Sequence, residues 1–209
     1  MSENLKKVQE MRIERTIEAL KENGINGYKV KNKEELKELI ESLIESKSTV
    51  TVGGSMTLFE SGIIDLLRNG DYNFLDRYKE GLSREDIEKI YRDAFFSDYY
   101  LTSTNALTEK GELYNVDGNG NRVAAMIFGP KKVIVVVGVN KLVKNLDEAI
   151  IRMIQMVVDN GHKEGCWVGI CGELGADITM TERFVKMGVD ELSVSPSMIL
   201  PIREKIRNM

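Results

Sequence analysis

The longest run of β-branched residues in this chain, residues 133–137, places the strongest constraint on its fold. The run has the length of a single strand, and with Lys132 before it the segment reads as a strand that is apolar on both faces. Such strands are typical of the interior of a parallel sheet that helices cover on both sides. The sequence therefore predicts an α/β protein with residues 132–137 as a central strand.

Helical and strand patterns alternate along almost the whole chain. Helices are expected at residues 4–23, 34–45, 56–68, 83–96, 121–127, 146–161, 179–187 and 197–207, and strands at residues 27–30, 48–52, 99–102, 132–137, 167–170 and 191–194. Ser83, followed by Asp86 three residues later, has the pattern of a capping box at a helix start. The alternation predicts a mainly parallel sheet with helices on both faces.

The composition excludes several classes of protein. Of the 209 residues, 42% are hydrophobic, which suffices for a sizeable core. The net charge of −4 argues against general nucleic-acid binding, which needs a basic face. No stretch approaches the roughly 18 consecutive apolar residues of a membrane span, and the N-terminal segment has no apolar signal core. We therefore expect a cytoplasmic protein that binds neither nucleic acid nor membranes.

The two cysteines, Cys166 and Cys171, are five residues apart and have no cluster of histidines or cysteines around them. This pattern favours neither a disulfide nor a zinc site. We therefore expect no metal site and no cofactor. The single histidine, His162, is expected at a solvated helix end.

Two polar loops rich in glycine are the candidate ligand site. Residues 53–55 should close one strand and open a helix, where glycines permit close approach and free amides favour an anion. A tight turn without a ligand is the alternative. The second loop lies between two strands and contains the segment DGNGN, which is typical of a hairpin turn. Here the segment runs directly into the short helix at residues 121–127, so its amides are also expected at a helix start. The candidate ligand-binding residues are Gly53, Gly54, Ser55, Ser103, Asn105, Asp117, Gly118, Asn119, Gly120, Asn121 and Arg122.

Three segments of these loops and their flanks resemble the LUD-domain family of lactate-utilisation proteins. They are VGGSMTLFESG, NFLDRYKEGLSREDIEKIYRDAFFSDYYLTSTNALTE and GELYNVDGNGNRVAAMIFGPKKVIVVVGVNK, and the resemblance covers residues 5–150. It implies a fold like that of sugar-phosphate isomerases and CoA transferases, with a small anionic metabolite bound over the strand ends. Glu109 is one of two catalytic candidates in the chain.

The remaining residues, 151–209, resemble the C-terminal end of the barrel that binds phosphoenolpyruvate in phosphoenolpyruvate–protein phosphotransferases. The motifs are CGELGAD at residues 171–177 and MGVDELSVSPSMIL at residues 187–200. The resemblance implies that Cys171, the other catalytic candidate, donates a proton to an enolate carbon, and the alternative is a buried, inert cysteine. About sixty residues supply only two of eight barrel units, so phosphotransfer is not expected.

Together these resemblances predict a chimera of two parts, residues 1–150 and 151–209, joined through one continuous helix. The second part should add a βαβα segment and pack on the first through apolar residues of that helix, or pair with a second copy in a homodimer. Three functions remain open. The chain binds a small anionic metabolite linked to organic-acid utilisation, or it is a scaffold without chemistry, or it retains phosphoenolpyruvate binding without phosphotransfer.

Overall fold

The computed structural model describes residues 3–209, which divide into two compact units at residues 149 and 150. The first unit contains α1 (Glu3–Glu22), α2 (Lys33–Leu43), β1 (Thr49–Val52), α3 (Met56–Glu60), α4 (Ile63–Asn69), β2 (Asn73–Leu75), α5 (Arg84–Asp93), β3 (Tyr99–Thr102), β4 (Ala106–Thr108), β5 (Leu113–Tyr114), α6 (Asn121–Ile127), β6 (Lys132–Val135) and β7 (Leu142–Val143). The boundary between the units lies within α7 (Leu146–Lys163).

A four-stranded parallel sheet in the order β2-β1-β3-β6 organises the first unit. Tyr99 and Leu101 of β3 face a core that also includes Leu58 of α3 and Ile63 of α4. Tyr100, between them, faces the opposite side, where it packs with Ala94 and with residues of α6. Helices therefore cover both faces, and the predicted α/β class with a mainly parallel sheet is confirmed.

The position of the strand at residues 132–137 was predicted wrongly. It forms β6, which ends at Val135 and lies at the edge of the sheet, whereas β3 is interior and buried along its whole length. Val133 is 36% exposed. A run of β-branched residues reports apolar character and strand propensity, but it carries no information about which strands lie on either side.

Two other local predictions in the first unit are wrong. Residues 27–30 form no strand, and a Cβ built on Gly27 would lie 3.3 Å from Ile17 of α1, so this segment packs on a helix. The helix expected at residues 56–68 is divided into α3 and α4 by Gly62, whose φ of 73° is left-handed.

A second sheet, in the order β5-β4-β7, was not predicted. In this sheet β4 pairs antiparallel with β5 and parallel with β7. These strands are two or three residues long, as is β2, and such short segments leave no measurable alternation in a sequence.

The second unit contains the rest of α7, then β8 (Gly169–Cys171), α8 (Gly172–Ala176), α9 (Ile178–Met187), β9 (Glu191–Ser193) and α10 (Pro196–Arg207). The strands β8 and β9 are parallel, as expected, and Gly188 ends α9 with a φ of 80°. Phe184 is fully buried, but Val185 is exposed, so the buried side of α9 includes fewer apolar residues than the sequence predicts. Within residues 3–209, no helix has the length and apolarity needed to cross a membrane.

Candidate functional site

The turn at residues 53–55 follows β1 directly and lies against β3. The backbone N–H of Gly53 donates to the carbonyl oxygen of Leu101 at 2.9 Å. A Cβ built on Gly53 would lie 2.6 Å from Oγ1 of Thr102 and 2.8 Å from the hydroxyl of Tyr100. Glycine is therefore required here by close approach. The helix that follows, α3, is a single turn of five residues, too short to provide the helix terminus expected for an anion.

The guanidinium of Arg122 organises the second loop. The side chain is buried, and its donors reach four carbonyl-type acceptors and one carboxylate on the loop and just after β3. The partners are the carbonyl oxygens of Ser103 (2.9 Å) and Val116 (2.9 Å), the Oδ1 atoms of Asn115 (2.7 Å) and Asn105 (2.8 Å), and Oδ1 of Asp117 (3.4 Å). Since these bonds occupy the guanidinium, Arg122 holds the loop in shape.

The structure brings the two predicted loops together at one end of the parallel sheet. A Cβ built on Gly53 would lie 3.1 Å from Cγ of Arg122, and Asp117 in turn accepts from the backbone N–H of Arg122 at 2.8 Å. This end carries the carboxyl ends of β1, β3 and β6, where open parallel sheets bind ligands. Residues 118–120 of the loop are exposed, and nothing lies within 4 Å of a Cβ built at Gly118 or Gly120.

Lys141 is a residue of this region that the sequence analysis missed. It lies in a 3-10 turn after β6, and its Nζ donates to Oγ1 of Thr57 at 2.9 Å and to Oγ of Ser103 at 2.8 Å. The ammonium group therefore joins α3 to the end of β3. The signal that could have identified it is a lysine three residues beyond the glycine that follows the apolar strand.

Arg77 is a second missed cation at the same end. Its guanidinium carbon lies 4.5 Å from the ring centroid of Tyr91 and 5.3 Å from that of Tyr78, and it donates to the Tyr91 hydroxyl. One of its nitrogens would be 3.7 Å from a Cβ built on Gly54. Among the ion pairs of residues 3–209, none joins Arg77 to a carboxylate.

Two hydroxyls add uncharged polar groups to this end of the sheet. The Oγ atom of Ser55 is fully enclosed and has no hydrogen-bond partner among the described residues. Tyr100 is almost completely buried, and burial raises the pKa of its phenol to about 12, against the opposing effect of Arg77 and Arg122. The phenol is therefore protonated at neutral pH.

Glu109, proposed from sequence as a catalytic candidate, is held in ion pairs. Its Oε1 is 2.6 Å from Nε of Arg12, and its Oε2 is 3.6 Å from a guanidinium nitrogen of Arg15, both on α1. Its backbone N–H donates to the carbonyl oxygen of Val143 in β7. These contacts attach the second sheet to α1, which gives Glu109 a structural role.

Cys171 lies at the end of β8 and is exposed, so the interpretation of a buried cysteine is wrong. Its strand is one of only two in the second unit, and that small sheet leaves it uncovered. His162, in the last turn of α7, lies 2.8 Å from Oδ2 of Asp190. The backbone N–H of Val168 and the His162 ring lower the pKa of Asp190. Within residues 3–209, no three His, Cys, Asp or Glu side chains are grouped to hold a metal ion.

Comparison with known proteins gives a family match that covers most of the chain. The LUD domain, as a family, matches residues 13–192, which extends past the boundary expected at residue 150. The phosphoenolpyruvate-protein phosphotransferases of Listeria monocytogenes and Bacillus subtilis are 39% identical over 71 residues, which is 34% of this chain and 12% of each relative. Multiphosphoryl transfer protein 1 of Escherichia coli is 30% identical over 112 residues, 54% of this chain and 11% of that protein. No solved structure matches the chain.

Proposed function

Because this chain belongs to the LUD-domain family, we propose that it binds a small anionic metabolite at the carboxyl ends of β1, β3 and β6. The observation that carries the proposal is the guanidinium of Arg77, which lies beside the turn at residues 53–55 with no carboxylate paired to it in the described chain. A cation held in place by aromatic rings, without a neutralising partner, attracts an anion.

Lys141 supplies a second positive charge near this turn, since it contacts Thr57 two residues beyond Ser55. Two cations near one glycine turn suit a ligand with one or two negative oxygens. The hydroxyls of Thr57 and Ser103, which accept from Lys141, can complete its hydrogen bonds. A carboxylate and a phosphate share this chemistry. Of the two, an organic acid of the lactate class agrees with the name and implied role of the family.

The test is thermal unfolding of the chain with lactate, phosphoenolpyruvate, a phosphorylated sugar and CoA in separate titrations. A ligand at 100 times its Kd adds about 2.7 kcal/mol to the free energy of unfolding, which gives a clear shift in Tm. The Arg77→Gln variant should weaken binding by about tenfold or more, because it removes a charge-assisted hydrogen bond. Lys141→Met should also weaken binding, because it removes the second positive charge.

Arg84→Gln is the matched control, since Arg84 is exposed on α5 and pairs with Glu88. Its titration should follow the unaltered chain. The proposal is wrong if none of the four ligands raises the Tm, which is the result that a scaffold without chemistry would give. It is also wrong if Arg77→Gln and Lys141→Met bind as tightly as the unaltered chain.

Phosphoenolpyruvate binding by the second unit is a second candidate, favoured by the likeness to phosphoenolpyruvate-protein phosphotransferases. The same titrations separate the two. Binding in the second unit should be weakened by Cys171→Ser and unaffected by Arg77→Gln. Binding in the first unit should show the opposite dependence.

A further inference from the structure

Tyr100 has an unusual environment for a tyrosine in the middle of a sheet. It lies on the interior strand β3, is 2% exposed, and reaches with its hydroxyl to the turn after β1. Its neighbours Tyr99 and Leu101 face the opposite side and belong to the main core. The phenol oxygen of Tyr100 is therefore directed to the end of the sheet where Arg77 and Lys141 lie.

The hydroxyl of Tyr100 makes no hydrogen bond within residues 3–209, in contrast to those of the nearby tyrosines. Tyr78 donates to the carbonyl oxygen of Gly53, Tyr91 accepts from Arg77, and Tyr99 donates to Glu45. The oxygen of Tyr100 is not fully enclosed, unlike Oγ of Ser55. Buried phenols almost always have a partner, so this donor is available to a molecule that enters from outside.

We propose that the Tyr100 hydroxyl donates a hydrogen bond to an uncharged oxygen of the bound anion. The site then selects anions that carry a hydroxyl or carbonyl oxygen next to the charged group over anions that lack it. This inference rests on the proposed anion site, because Arg77 and Lys141 hold the charged end. The Tyr100 hydroxyl lies next to Gly53, and the Arg77 guanidinium lies next to Gly54. Because these two glycines are consecutive residues, one small molecule can reach both groups.

The protonation state of Tyr100 agrees with this role. Burial raises the pKa of the phenol to about 12, so the group keeps its proton, and remains a donor, throughout the physiological range. A phenolate would repel an anion, whereas a neutral phenol can donate a hydrogen bond and so select anions that carry a second oxygen. The preference for a hydroxylated anion should therefore be constant between about pH 6 and pH 9.

The test compares lactate with propionate, which lacks only the hydroxyl group, on the full chain and on two variants. The unaltered chain should prefer lactate by about two- to twelvefold, the effect of one neutral hydrogen bond. Tyr100→Phe, which removes only the oxygen, should bring this ratio close to one. Tyr99→Phe, the adjacent position on the opposite face, should keep the ratio of the unaltered chain.

The outcomes separate this inference from the proposed function. If the unaltered chain binds neither acid nor any of the other anions, both are wrong. If it binds both acids equally, or if Tyr100→Phe keeps the preference for lactate, the role of Tyr100 is wrong and the anion site stands. Should Tyr100→Phe fail to fold, the comparison of lactate with propionate on the unaltered chain still tests the role of Tyr100, because equal affinity for the two acids contradicts it.

Discussion

The absence of a side chain at Gly53 allows the two loops of the candidate site to come together. Because Oγ1 of Thr102 and the hydroxyl of Tyr100 lie within 2.8 Å of the position of a Cβ, Gly53→Ala would force β1 and β3 apart or displace both side chains. We expect it to lower the free energy of unfolding by about 1–3 kcal/mol, the range for overpacking. Urea denaturation monitored by circular dichroism provides the measurement.

Gly118 is the matched control for Gly53. Nothing lies within 4 Å of a Cβ built there, so Gly118→Ala should leave stability unchanged or slightly raised. Equal destabilisation by both substitutions would contradict the argument from close approach.

Arg122 is expected to be the residue on which the second loop depends most. Arg122→Ala removes the five hydrogen bonds that the guanidinium makes to this loop and its flank, and it leaves the carboxylate of Asp117 without its cation. Removal of one partner of a buried, hydrogen-bonded ion pair costs about 3–5 kcal/mol of stability. Denaturation should show this loss, and Arg84→Ala, with a side chain that is 92% exposed, should show no measurable change. A small effect of Arg122→Ala would mean that other contacts hold the loop.

At the scale of elements, α5 begins with a capping box that was recognisable in the sequence. Ser83 Oγ accepts from the backbone N–H of Asp86 at 3.1 Å, and Asp86 accepts from the backbone N–H of Ser83 at 2.9 Å. Ser83→Ala should lower the free energy of unfolding by about 1 kcal/mol, the usual cost of losing an N-cap. Ser83→Asn, an equally good N-cap, should retain the stability. If both variants behave alike, the cap contributes nothing measurable.

The same capping box should make stability depend on pH in acid. Hydrogen bonds from the side chain and backbone of Ser83 lower the pKa of Asp86 in the folded state. A lowered folded pKa stabilises the protein at pH values above the unfolded pKa of about 3.9, and this contribution is lost as the pH falls through the folded value. Unfolding free energies measured from pH 6 to pH 2 should therefore fall less steeply in Ser83→Ala. An unchanged slope would contradict this linkage.

At the scale of the whole molecule, we predict that this chain transfers no phosphoryl group from phosphoenolpyruvate. The chain spans only 12% of the length of the phosphotransferases it matches. Its single histidine, His162, lies in the second unit, where it contacts Asp190 beside the two-stranded sheet. Incubation with radiolabelled phosphoenolpyruvate should leave the protein, and any added carrier protein, unlabelled. Acid-labile or stable incorporation of label would overturn the prediction.

The alternation of helix and strand, the caps and the glycine turns could be predicted because each is encoded in neighbouring residues. The cap at Ser83, the helix end at Gly188 and the turn at residues 53–55 are of this kind, and so is the α/β class that follows from their sequence. In the first unit, four strands of two or three residues were not predicted, because they are held by partners elsewhere in the chain and not by their own pattern.

The sequence alone determined the class of the fold, the two loops of the candidate site and the family resemblance. Only the tertiary structure decided that β6 is an edge strand, that the guanidinium of Arg122 is occupied by the second loop, and that Arg77 and Lys141 lie near the turn at residues 53–55. Lys141 contacts Thr57 across 84 residues of chain, within 2.9 Å. Such a contact depends on the order and register of strands, which result from the packing of all elements together, and local periodicity carries no record of it.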